Sequence, residues 1–289
     1  MSDLPFEFKP CSQECGRECG ANLAACPTYR KLPAPLQEMC RESLHLLQYL
    51  HMLPLDELGI PEYHEKLERS MSAIKDPNLL YRVDDSIFIH ILANKDDTRN
   101  HYIPVEPSLS DTFDGLLDNI EERLADFVDE LDGLSETRKR VETILKIVDG
   151  IVVIRGGNGT KPAVDNARKS AKRNGGKRNG SNGNGSKHAL LFGNNKTQNK
   201  IVLTPLQYRS VRYLLQRKLE GLGVLEPMIR DPYIEDISCS GLGNIFVEHK
   251  IFNGLETNIN FETHEILDKF VIQLAERIKH PVTFRDPCV

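Results

Sequence analysis

Leu225-Glu-Pro-Met-Ile-Arg-Asp-Pro-Tyr-Ile-Glu-Asp-Ile-Ser-Cys-Ser-Gly241 is the stretch on which the reading of this chain turns. Its latter part, from Ile234 to Ser238, has the alternation of a strand and runs into Gly241 and Gly243, residues that suit a turn. Ile245-Phe-Val-Glu-His249 reads as a second strand, and after Gly254 the residues Leu255, Thr257, Ile259 and Phe261 alternate in a third. A helix follows with Ile266, Leu267, Phe270, Val271, Leu274 and Ile278 on one face. Upstream, Thr204-Pro205-Leu206-Gln207 is a helix start: Thr caps, Pro takes the first helical position, and Gln reaches back to the N–H of the cap. Gly221 and Gly223 end that helix. Three antiparallel strands with flanking helices make residues 201–289 a small α+β unit.

Residues 155–200 break this rhythm. They hold eleven Lys or Arg against the single acid Asp165, a balance of +10 within a chain of formal net charge −5, so the remainder carries −15. Nine Asn and nine Gly, with almost no apolar residue before Leu190, leave too little surface to bury against the cost of chain entropy. The stretch therefore reads as a disordered basic linker, a solvated tether between domains. Its basicity invites a nucleic-acid partner, but it lacks the interleaved aromatics of a stacking surface.

On the N-terminal side of the tether, residues 36–76 show helical spacing twice, over Leu36 to Leu53 and over Ile60 to Ile74, which predicts a helical hairpin. From Tyr81 the period changes to two through Val83, Ile87, Ile89 and Ile91. Tyr102-Ile-Pro-Val-Glu-Pro107 is expected at a sheet edge, because its two prolines cannot serve a central ladder. An amphipathic helix after Ser110, with an acidic outer face, and a shorter one from Ser135 to Val148 complete a first α+β domain over residues 77–154. The expected fold class is thus α+β: two small domains joined by the linker and preceded by the hairpin and a Cys-rich segment, residues 1–35. Hydrophobic content is 39% and charged content 27%, and no apolar run approaches the roughly 18 residues of a membrane helix. The N-terminus also lacks the basic and apolar regions of a secretory signal, so a cytoplasmic protein is expected.

Cys11, Cys15, Cys19 and Cys26, the last followed by Pro27, place four of the seven cysteines within sixteen residues. Four thiolates can close a tetrahedral Zn site or hold an iron–sulfur cluster. Two disulfides or unligated thiols are the alternatives, the disulfides disfavoured by a reducing compartment. Cys40 and Cys239 fall on apolar faces and read as buried small hydrophobes. The nine His show no H-E-x-x-H pattern, and packing or capping roles are expected for His249 and His280.

The string Leu225 to Ile237, the Ile245–Lys250 strand, and Asp268-Lys-Phe-Val-Ile-Gln-Leu-Ala-Glu-Arg277 together resemble the segment that precedes the motor domain in archaeal type II/IV secretion system ATPases, the GspE-like family. The resemblance covers residues 204–287 well and residues 81–150 loosely. It implies a PAS-like fold for the C-terminal domain and a role as the docking and force-transmitting head of a pilus or secretion motor. The partners it implies are the motor domain of the same ATPase, a homo-hexamer at full length, and a membrane platform protein that holds the assembly peripherally at the membrane. ATP and Mg²⁺ would belong to that motor domain. The chain has no G-x-x-x-x-G-K-[ST], and Gly156-Gly-Asn-Gly-Thr-Lys161 has the wrong spacing and is followed by Pro162, so residues 1–289 are expected to lack catalysis and to be truncated before the motor. The rival reading is a metal-cysteine regulatory or nucleic-acid-binding protein with a borrowed C-terminal domain.

Overall fold

The computed structural model describes residues 4–7, 23, 26–95, 97–107, 115–127, 137–155, 200–219 and 222–280. Apart from its two ends the basic stretch lies outside them, as do Ser110, Cys11, Cys15, Cys19 and Cys288. The chain is mixed α/β. Helices α1 (Pro27–Lys31), α2 (Ala34–Glu42), α3 (Leu44–Met52) and α4 (Leu55–Leu58) lead into strands β1 (Glu62–His64), β2 (Asn78–Arg82), β3 (Phe88–Leu92) and β4 (His101–Val105). Then come α5 (Leu116–Ala125), α6 (Thr137–Ile151), β5 (Val152–Ile154), β6 (Ile201–Leu203), α7 (Pro205–Leu219) and α8 (Glu226–Arg230). Strands β7 (Ile234–Ser238), β8 (Gly243–His249) and β9 (Asn253–Phe261) and helix α9 (His264–Arg277) follow. Among the described residues no helix is long and apolar enough to cross a membrane.

The two α+β segments that the sequence separates contribute to one mixed sheet, ordered β1-β2-β3-β4-β9-β8-β7. Its centre follows from composition. Phe88-Ile-His-Ile-Leu92 is buried at all five positions, as a strand covered on both faces must be. On one face Leu80, Phe88, Leu92, Ile103 and Val105 meet Leu36, Leu46 and Leu50 of the N-terminal helices. On the other, Tyr81, Ile89 and Tyr102 pack in one cluster with Tyr213 of α7, Met228 of α8, and Val247 and Leu255. A third cluster joins Ile120, Val148, Leu203 and Val211 of α5, α6, β6 and α7 around the parallel β5–β6 pair.

The C-terminal strands and the helix start agree with the sequence. The capping box is present in both directions: Thr204 N–H donates to Gln207 Oε1 at 3.0 Å, and Gln207 N–H donates to Thr204 Oγ1 at 3.2 Å. Three expectations need correction. No second helix spans Ile60 to Ile74; Glu62–His64 instead adds a parallel strand to β2, a 3-10 turn covers Arg69–Ala73, and Ile60 and Ile74 are exposed. Pro61 and the left-handed Gly59 (φ 79°) stop the helical path of α4 before that spacing can act.

The β4 strand is not at an edge, since it lies between β3 and β9. Yet its pairing to β9 ends after His101↔Glu256 and Tyr102↔Thr257, two residues short of Pro104, so the proline argument holds locally. The apolar face of α9 is only partly covered: Phe270 and Leu267 pack on the core, while Ile266, Val271 and Ile278 stand 51%, 43% and 55% exposed.

Candidate functional site

The Arg230-Asp231-Pro232 turn between α8 and β7 sits where the two halves of the sheet meet. Asp231 is 3% exposed, and its Oδ2 accepts hydrogen bonds from Tyr81 of β2 and, at 3.0 Å, from Tyr102 of β4. Its Oδ1 accepts from the Tyr233 amide at 2.8 Å. Burial raises the carboxyl's pKa, against the three donors, which lower it. His249 adds a second layer. Its Nδ1 accepts from the amides of Ile251 and Phe252 at 3.1 and 3.2 Å, which places the ring proton on Nε2, 3.4 Å from the Tyr81 hydroxyl. Burial holds this imidazole down to about 4, so it is neutral, and it stacks on Tyr233 at 5.7 Å between centroids. Arg230 extends the link to the β2–β3 turn through Asp84 at 2.9 Å and to Glu226 at 2.6 Å.

Beside this seam the ladder opens. The Glu256 amide donates to the Asn100 carbonyl, so on β4 the even-numbered residues turn their backbone groups toward β9. Pro104 falls on that parity and has no N–H to give. On β9 the register against β8 slips between Asn244 and Phe246, where Thr257 Oγ1 engages the backbone of Ile259 instead of leaving it to a neighbouring strand. The strands diverge into a cleft of about 510 Å³ lined by Pro104, Glu106, Asn258, Ile259, Asn260, Glu262 and Ile266. Glu106 is anchored from α7: Arg217 reaches its two oxygens at 3.2 and 3.1 Å and the Tyr213 hydroxyl donates to Oε1. Burial raises its pKa, opposed by Arg217.

Of the residues singled out from sequence, only Cys26 among the four clustered cysteines is described. It is 3% exposed, and its Sγ accepts the Tyr29 amide at 3.4 Å as the N-cap of α1. A sulfur that accepts an amide N–H suits either a thiol or a ligating thiolate. Among the described residues no group of three or more His, Cys, Asp or Glu is placed to hold a metal ion. Cys40 is buried in the same core cluster as Cys26, with its thiol pushed up to about 12 by burial and then by Cys26. Cys239 is a correction: it is exposed at the end of β7, because Ser238 and Cys239 lead the chain out to the turn at the sheet edge. His249 packs as expected, while His280 lies exposed past the end of α9, its amide donating to the Ala275 carbonyl at 2.9 Å. Sequence reasoning missed the tyrosines. Tyr81 and Tyr102 gave a period-two signal, but nothing in it showed that both hydroxyls converge on one acid from the other half of the chain.

No family model matches the chain. Uncharacterized protein MJ0900 of Methanocaldococcus jannaschii is 32% identical over 256 residues, which is 89% of this chain and 42% of that protein. Uncharacterized protein MJ1288 of the same organism is 38% identical over 91 residues, 31% of this chain and 36% of that protein. The chain thus spans less than half the length of these relatives.

Proposed function

We propose that this chain is the N-terminal docking and force-transmitting part of a type II/IV secretion or archaeal pilus-assembly ATPase, with no catalysis of its own. The observation that carries the reading is that the sequence run behind the resemblance is also the mechanical link of the fold. Arg230 and Asp231 tie the C-terminal strands to β2, to β4 and to the β2–β3 turn, so a load applied to β7–β9 and α9 passes to the N-terminal helices through one sheet. A head that relays motion needs such a rigid path. The matched relative MJ0900 extends well beyond the aligned region, which leaves room there for a motor domain. In this reading β7–β9 with α7 and α9 form the PAS-like unit, the motor domain and the neighbouring subunits of a hexamer are its partners, and the N-terminal helices face a membrane platform protein.

Two results test it. The purified 289-residue chain should neither turn over ATP nor bind it tightly, whereas joined to a secretion motor domain the region 204–287 should be required for hexamer assembly and turnover. ATPase activity of the chain alone, lost in Lys161→Ala, would overturn the reading. The cysteine cluster is tested separately: untagged protein prepared without oxygen should carry about one Zn or one cluster per chain, and Cys15→Ser should abolish it. Metal-free protein with an unchanged circular dichroism spectrum would end the metal assignment and leave the docking role standing.

A further inference from the structure

We infer that Val153 and Val202, side by side on the outer face of the β5–β6 pair, are the docking site for Ala189-Leu-Leu-Phe192 of the same chain. The direction of the pairing carries the argument. β5 and β6 run parallel, with Val152, Val153 and Ile154 set against Ile201, Val202 and Leu203. Parallel neighbours cannot be joined by a tight turn, so the chain that leaves Ile154 has to travel back along the pair before it enters Ile201. A crossover of this kind lies over one face of its sheet, and parallel strands belong to sheets covered on both faces.

One face is already taken. Val152 and Leu203 are buried in the cluster that holds Val148 of α6 and Val211 and Leu215 of α7. The opposite face carries Val153 and Val202, which stand 43% and 53% exposed. The open side for the returning chain is therefore the valine side. Between Arg155 and Lys200 the large apolar residues are Val164 and, standing together, Leu190, Leu191 and Phe192. Residues 193–200 separate that run from β6, a reach of up to about 26 Å, whereas a three-residue strand is only about 10 Å long. The run can thus lie across both valines, and its tether holds it near them at an effective concentration on the order of millimolar. The Lys- and Arg-rich residues 161–187 have no comparable apolar run to bury. Docking of Ala189–Phe192 turns them into a basic loop with both ends held at β5–β6.

The test uses the full chain with labelled Val methyl groups and labelled Phe rings. Nuclear Overhauser cross-peaks are expected from the Phe192 ring to the methyls of Val153 and Val202, and they should vanish in Phe192→Leu. Mixing labelled with unlabelled chain separates contacts within one chain from contacts between two. A second measurement is chymotrypsin cleavage after Leu190, Leu191 and Phe192, which follows the population of the undocked run. Val153→Lys combined with Val202→Lys removes the apolar face and should speed that cleavage about tenfold. Ile229→Lys, at an exposed apolar position on α8, should leave it unchanged. Cross-peaks found only between different chains would assign the face to a second copy, and cross-peaks to another segment would assign it there; either result overturns the proposal. So does the absence of any cross-peak from Phe192, or a cleavage rate that the two lysines do not change. Because both valines are exposed, the lysine variant keeps the fold, and none of these outcomes bears on ATP turnover or hexamer assembly.

Discussion

Replacing Asp231 by alanine is expected to unfold the chain or to lower its stability by about 3 kcal/mol or more. The carboxylate is the shared acceptor for two buried hydroxyls and one part-buried amide, and each buried donor left without a partner costs about 1–3 kcal/mol. A loss of that size is a large part of the roughly 5–15 kcal/mol that holds a domain together. Asp231→Asn keeps one oxygen as acceptor and should fall between alanine and wild type. Tyr102→Phe removes one donor along with its bond and should cost only about 1 kcal/mol. The chain has no Trp, so urea unfolding is best followed by far-ultraviolet circular dichroism. The midpoint should drop at unchanged slope, since the surface exposed on unfolding is the same. If Asp231→Ala unfolds within about 1 kcal/mol of wild type, Asp231 does not join the halves of the sheet, and the force-relay role loses its support.

Local signals were legible in the sequence where a residue type has one backbone use. Thr204 and Gln207 fixed a helix start, and Gly243 and Gly254 bracketed β8 and β9 closely. The period-two run through Ile87, Ile89 and Ile91 marked β3, but the other face of that strand carries Phe88, His90 and Leu92, which mixes apolar and polar and hid that both faces are covered. What could not be read was pairing across the chain. The β4–β9 contact spans two residue pairs more than 150 positions apart, and no local pattern encodes it. The helical spacing of Ile60 to Ile74 misled because the edge of β2 offered Glu62–His64 a ladder. The candidate site suffered most. Glu106 looked like one more acid ahead of an acidic helix, and only the fold brings Arg217 and Tyr213 behind it.

The other large effect is on pH. Of the four buried histidines, three are shifted far: burial pulls His45 and His249 down to about 4 and His90 to about 3, from an ordinary value of 6.5, and it lowers His51 as well. His90 is locked on both sides. Asn78 gives its amide group to the Leu58 carbonyl and turns Oδ1 to His90 Nε2 at 2.8 Å, so Nδ1 is left to accept from the Tyr49 hydroxyl at 2.7 Å. A second proton would break the latter bond inside the core. Each folded pKa lies below the unfolded one, so in the interval between them the unfolded chain binds more protons. The stability these residues contribute is fully present above about pH 6.5 and is lost as pH falls toward 4. At about 1.4 kcal/mol per unit, His45 and His249 each lose about 3 kcal/mol over that range. Asp231 and Glu106 work in the opposite sense, because their raised pKa values let the folded state take up protons first as pH falls. Two such carboxyls offset part of the loss that the histidines cause as pH falls. Urea midpoints at pH 7.5, 6.5, 5.5 and 5 should decline with a slope of at most about three protons, reduced by whatever the carboxyls take up, and unfolding without denaturant should follow between about pH 5 and 4. A flat midpoint from pH 7.5 to 5 would mean that these rings can charge in place, which the closed Tyr49–His90–Asn78 bonding does not allow.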